Sequence, residues 1–169
     1  SNPAAGRMVD PRYLYAQQLE SGVNTLTIPF AHSLVALQSI FGALHDMHAL
    51  TACQYPEVIR KDNGEPLPRS TIDHVFFQGR TQDGGLLNIA YRGGGSGLRM
   101  EIECEHLQLV VTANSGHLQY EALTIEIHRD GQRETLAPEA NAVDILANTY
   151  RAVYEDLRHG THTVPNFAH

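Results

Sequence analysis

His32 stands at the centre of the run Gly22-Val23-Asn24-Thr25-Leu26-Thr27-Ile28-Pro29-Phe30-Ala31-His32-Ser33-Leu34-Val35-Ala36-Leu37, and it is the one histidine in that mostly apolar stretch. An imidazole there can give or take a proton, orient a polar substrate, or pack in a core. Arg92 is the second candidate. It ends an apolar strand pattern and precedes a glycine run, where a guanidinium can grip a substrate carboxylate or hydroxyl, or simply face water.

Other constellations carry less. Gly93-Gly94-Gly95-Ser96-Gly97 invites a phosphate-loop reading. A dinucleotide fingerprint needs a strand before the glycines and a helix after them, so that a helix N-terminus faces the phosphates. Here a strand pattern follows, and the run reads as a connection between strands. No other G-x-G-x-x-G or Walker-type segment exists, so nothing in the chain is built to bind a nicotinamide nucleotide in the usual way. His45 and His48 are three apart, as are His159 and His162, but neither pair is joined by a cysteine or carboxylate cluster in a ligand pattern. No metal is expected. Glu101, Glu103 and Glu105 share one face at period two. Paired carboxylates can do acid–base work, yet consecutive outward positions on a strand usually just face water. Gly95-Ser96-Gly97 lacks the context of a nucleophile elbow.

The elements that must position these residues follow from periodicity. A short helix is expected over about 11–20, after Pro11. Thr25 to Ile28 reads as extended or as a first helical turn, and Pro29 suits a first turn because its missing N–H costs nothing there. Leu34, Leu37, Phe41 and Leu44 form an apolar helical face that stops at Gly42. The period then changes to two. Strands are expected at His48–Tyr55, Ile72–Thr81 and Leu86–Arg92, with Leu87, Ile89 and Tyr91 on one face of the last. Leu98–Cys104, Leu107–Val111, Leu123–His128 and Arg133–Leu136 complete the set. Arg60–Arg69 reads as an exposed loop. Turns are expected at Gln82-Asp83-Gly84-Gly85, Asn114-Ser115-Gly116 and Asp130-Gly131. A closing helix carries Ala142, Ile145, Leu146, Thr149, Val153 and Leu157 on one stripe and ends at Gly160. Consecutive hairpin-linked strands with few helices imply an α+β fold: an open, mostly antiparallel sheet with helices on one face.

Composition narrows the function classes. The 169 residues carry 12 Lys+Arg against 19 Asp+Glu, a formal charge of −7, with no basic stripe. That argues against nucleic acid and against an anionic membrane surface. No signal-peptide pattern and no apolar run near 20 residues is present, so the chain reads as soluble and cytoplasmic. Cys53 and Cys104 read as free thiols. Residues 1–10, opening with the tag-like pair Ser1-Asn2, read as an extension, and residues 11–169 as one domain.

Thr25-Leu26-Thr27-Ile28-Pro29-Phe30-Ala31-His32-Ser33-Leu34 followed by Phe41-Gly42, then Ile89-Ala90-Tyr91-Arg92-Gly93-Gly94, Met100-Glu101-Ile102-Glu103, Asn148-Thr149-Tyr150 and Val164-Pro165-Asn166-Phe167, resemble in that order the C-terminal domain of the glucose–fructose oxidoreductase / inositol dehydrogenase (Gfo/Idh/MocA) family. The resemblance is closest to the branch that includes the fungal galactose-pathway repressor. It covers residues from about 11 to 169. It implies a partner Rossmann domain, outside this chain, that binds NAD or NADP. It also implies that the present domain contributes to a small-molecule substrate pocket and to a homo-oligomer interface on its sheet face. The family's hydride-transfer sites pair a lysine of the nucleotide domain with a D-x-x-x-H pair of this one. His32 matches the histidine; the aspartate position holds Ile28, which can neither exchange a proton nor orient an imidazole.

Two functions compete on these observations. One is the substrate-binding domain of an NAD(P)-dependent oxidoreductase acting on a sugar- or polyol-like substrate, with His32 as catalytic group and Arg92 on the substrate. The other is a non-catalytic regulator or sensor, motivated by Ile28 and by the repressor branch. A plain dimerisation module is the third and least specific reading.

Overall fold

Pro29 and Gly42 bracket the helix that carries His32, and each does so for a local reason. The computed structural model describes residues 6–116, 122–137 and 142–164. The expected Ser1-Asn2 remnant and residues 165–167 of the closing block lie outside the described residues, as do the side chains of Ala142 and Ile145. The chain divides into two compact units, Ser1–Gly97 and Leu98–His169.

In the first unit, strand β1 (Met8–Val9) leads into short tight helical turns over Pro11–Gln17 and Leu19–Ser21, in place of the continuous helix expected over 11–20. Asp10 caps the first turn by accepting from the Arg12 amide at 3.0 Å. Gln18 is extended at φ −103, ψ 133, and separates the two turns. Asn24 then caps the next segment, its Oδ1 accepting from the Leu26 and Thr27 amides at 2.9 and 3.0 Å. Leu26–Phe30 forms a wide turn. Pro29 has no N–H to give Thr25, and the Phe30 amide reaches the Thr25 carbonyl instead, at 3.0 Å. Helix α1 (Ala31–Phe41) continues directly. It ends where Gly42, at φ +76, donates to the Gln38 carbonyl at 2.9 Å.

Strand β2 (Leu44–Ala52) begins earlier than the expected His48 and stops before Tyr55. It stops because the Gln54 and Tyr55 amides are taken by the Asp73 carboxylate at 2.7 and 2.9 Å. The segment expected as a loop at 60–69 is instead a small hairpin, β3 (Glu57–Arg60) paired antiparallel with β4 (Pro66–Pro68). Its edge position tolerates two prolines. β1 pairs parallel with β3, giving the order β1-β3-β4. β5 (His74–Thr81) and β6 (Leu86–Arg92) join β2 in the antiparallel order β2-β5-β6. Phe30, Leu44, Val75 and Phe77 form the buried core, with Leu26, Leu34, Ile72, Leu87, Ile89 and Tyr91 packed around it. α1 and the wide turn therefore lie on the Val75–Phe77 face of this sheet.

In the second unit, β7 (Leu98–Glu103), β8 (Gln108–Ala113), β9 (Thr124–Arg129) and β10 (Gln132–Leu136) form an antiparallel sheet in the order β10-β9-β8-β7. Asp130 and Gly131, at φ +50 and +73, make the tight turn between β9 and β10. Val110 and Val111 are both buried, so β8 is covered on both faces. Helix α2 (Ala142–His159) follows. The fold is α+β, and among the described residues every strand pair is antiparallel except β1–β3.

Candidate functional site

His32 sits in the first turn of α1 and is exposed, so the packed-core reading does not hold. Ile28 lies one turn earlier and is 41% exposed. The side chain that a proton relay would need as a carboxylate is thus an accessible hydrocarbon.

Arg92 ends β6 and is exposed. Its neighbour Tyr91 points into the core, its ring edge-on to Phe30 at 6.3 Å, and burial pushes the Tyr91 hydroxyl pKa up. Alternation along the strand then turns Arg92 to the opposite face. α1 packs on the Tyr91 side. His32 and Arg92 are therefore not brought together; the sheet lies between them.

The structure gathers a cluster that sequence reasoning missed. Asp73 is fully buried. Besides the Gln54 and Tyr55 amides, its carboxylate faces Nδ1 of His74 at 2.8 Å and the Arg69 guanidinium at 3.6 Å. Arg69 is buried as well, donating from Nε to Gln17 Oε1 at 2.7 Å and from Nη2 to the Gly6 carbonyl at 2.8 Å. Burial lowers the Arg69 pKa, and the nearby Asp73 charge opposes that shift. Burial likewise raises the Cys53 thiol pKa, with Asp73 adding to the effect. The Tyr55 ring stands edge-on to His74 at 5.5 Å, and Arg7 lies over Tyr55 at 4.8 Å. The cluster pins four chain segments and holds the His74 ring in place through Nδ1 on Asp73. The sequence signal was the dipeptide Asp73-His74 opening an apolar strand, an ionisable pair where a strand normally starts with a turn residue.

The glycine run behaves as a connection. The Gly93 amide donates to the Asp73 carbonyl at 2.6 Å, and β7 starts at Leu98 with no helix after the glycines. Among the described residues, no group of three His, Cys, Asp or Glu side chains is placed to hold a metal ion. Among them, too, no helix is long and apolar enough to cross a membrane.

With this geometry in hand, comparison with known proteins is decisive for the family. The sequence matches the family described as Gal80p, C-terminal domain, over residues 5–122. The chain belongs to the Gal80p C-terminal-domain family. Over 94 residues it is 31% identical to the galactose/lactose metabolism regulatory protein GAL80 of Kluyveromyces lactis, a stretch covering 52% of this chain and 20% of that protein. Among solved structures, a super-repressor mutant of Gal80p from Saccharomyces cerevisiae superposes with a TM-score of 0.80 at 18% identity, over 92% of this chain and 44% of that one. Gal80p from Kluyveromyces lactis gives 0.75 at 20% identity, over 90% and 42%. A protein of Desulfitobacterium hafniense assigned as an NADPH-dependent oxidoreductase gives 0.67 at 12% identity, over 98% and 46%. This Gal80p-like chain thus spans less than half the length of these relatives, and its fold is shared by a regulator and an oxidoreductase alike.

Proposed function

We propose that this chain is the ligand-binding and self-association domain of a Gal80-like regulator whose partner domain binds NAD or NADP, and that the parent senses a sugar- or polyol-like ligand without transferring hydride. The observation that carries this reading is Ile28, exposed one turn before His32, where a proton relay needs a carboxylate. The family match supports it. In this reading His32 hydrogen-bonds a ligand hydroxyl. Self-association uses the outer face of β2-β5-β6, where Leu50, Phe76 and Ala90 lie in register as an apolar row and Leu50 is 70% exposed.

The test uses the full-length parent with NAD and NADP and a panel of aldoses and polyols. Binding of nucleotide and sugar with no change in nicotinamide absorbance supports the regulator. Steady turnover that His32→Ala abolishes would establish the second reading, an NAD(P)-dependent oxidoreductase with His32 as proton donor or acceptor. What favours that second reading is the exposure of His32 at a helix start. Light scattering of Leu50→Glu checks the self-association surface, since a charge in the apolar row should leave a monomer.

A further inference from the structure

The geometry points to a second ligand site on the other face of the sheet, built from Arg92, His74 and Asp73, that takes a hydroxylated carboxylate such as a sugar acid. Arg92 and His74 are direct register partners on β6 and β5. The Gly93 amide bonds the Asp73 carbonyl just beyond them. Their own pair is therefore of the non-hydrogen-bonded kind, in which facing side chains come closest. Both belong to the outer face, because Tyr91 and Val75 point into the core.

Each group is prepared for a different part of the ligand. His74 keeps 10% of its side chain exposed and is oriented by Asp73 on Nδ1. An imidazole that donates from Nδ1 has Nε2 as an acceptor, which fits a ligand hydroxyl. Arg92 is exposed, and its planar fork of donors fits a carboxylate bidentately. Asp73 cannot swing away to neutralise Arg92, since two backbone amides and Arg69 hold it. The surroundings favour an anion. The fixed charges within β2, β5 and β6 are Arg80 and Arg92 against one acid, Asp46, which is already paired with Arg80 at 3.3 Å, and the buried Asp73 beside the site is balanced by Arg69. On a chain of formal charge −7, this face is locally cationic. The site lies at the end of the sheet, beside the glycine connection and one outward position along from Phe76. It uses neither His32 nor a nucleotide, so it goes beyond the function proposed above.

A nuclear magnetic resonance titration of the 169-residue chain tests it, with galacturonate as probe, galactose and acetate as partial ligands, and the His74 ring signals as readout. The expected result is a saturable shift with galacturonate, weaker binding of acetate, and none of galactose at the same concentration. Arg92→Gln should weaken galacturonate about ten- to a hundredfold, the range for losing charge-assisted hydrogen bonds. Arg92→Lys, which keeps the charge without the fork, should fall between. Because Arg92 is exposed, both variants should keep the wild-type amide spectrum. Absence of a saturable shift overturns the site, as does equal binding by Arg92→Gln or equal binding of galactose. Repeating the titration on Leu50→Glu separates this result from self-association. Failure there overturns the sugar-acid site alone, leaving the nucleotide and turnover assays to judge the proposed function.

Discussion

The Phe30 ring meets the Phe77 ring at 5.5 Å with the planes tilted by 53°, and this contact anchors the His32 helix to its sheet. Phe30 is the last residue before α1 and sits in the wide turn that Pro29 imposes. Phe30→Ala should therefore cost about 3–5 kcal/mol by emptying a buried aromatic site. Chemical denaturation measures it. The loss should be accompanied by faster amide exchange in α1 than in β7–β10, since the second unit has its own sheet.

Asp73→Ala should be among the most damaging single changes in the first unit. It leaves Arg69 buried without its carboxylate and frees the Gln54 and Tyr55 amides. Breaking one side of a buried charge pair costs about 3–5 kcal/mol. A thermal melt far below wild type is the expected result. A melt within the ordinary range for surface changes would show that Arg69 is satisfied without Asp73.

Gly42 is required by its backbone. At φ +76 any side chain is strained, and an added Cβ would also approach Gln82 Oε1 to 3.2 Å. With ψ −164 as well, Gly42 occupies a backbone region that is essentially glycine-only, and Gly42→Ala should cost about 1–3 kcal/mol. A compatible control is Ser39→Ala, an exposed position whose hydroxyl only bonds back to the Val35 carbonyl.

Asp156 ties the end of α2 to the following turn. Its carboxylate accepts from the Thr161 hydroxyl and from the Thr163 and Val164 amides, and these bonds hold its pKa well below the usual carboxylate range, the Thr161 bond contributing most. A depressed carboxylate pKa contributes stability that is present above the unfolded value and lost as pH falls through the folded one. The Thr161–Val164 turn should thus stay protected through neutral and mildly acidic pH and open only in strong acid. Amide exchange at Thr163 and Val164 checks this, and Asp156→Ala should remove their protection at every pH.

Ile28→Asp would place a carboxylate one turn before His32. Because Ile28 is partly exposed, the change should alter stability by no more than about 0.5–1 kcal/mol. In the full-length protein, proposed to transfer no hydride, a polyol-dependent change in nicotinamide absorbance should appear with Ile28→Asp and be absent from the wild type, because the substitution supplies the missing acid–base partner. No change would mean that His32 does not face a reacting carbon.

Much of this molecule was legible in the order of its residues. The stop at Gly42, the hairpins at Gly84-Gly85 and Asp130-Gly131, and the face shared by Leu87, Ile89 and Tyr91 each rest on local backbone or period-two chemistry, which a sequence displays directly. The four-residue spacing of Ile28 and His32 within one helical stretch is likewise a matter of residue type and period. Less legible were β3 and β4, whose Pro-Leu-Pro strand has almost no pattern of its own and exists by pairing.

Three things were decided by tertiary structure alone. Helix α1 packs on the Tyr91 face, which separates His32 from Arg92. Asp73 captures amides 18 and 19 residues away in sequence, which ends β2 and buries Arg69. Arg92 and His74 become neighbours only through the β5–β6 register. In each case the deciding partner is distant along the chain, and no local spacing encodes which face of a sheet a helix will cover or which carboxylate a buried guanidinium will find.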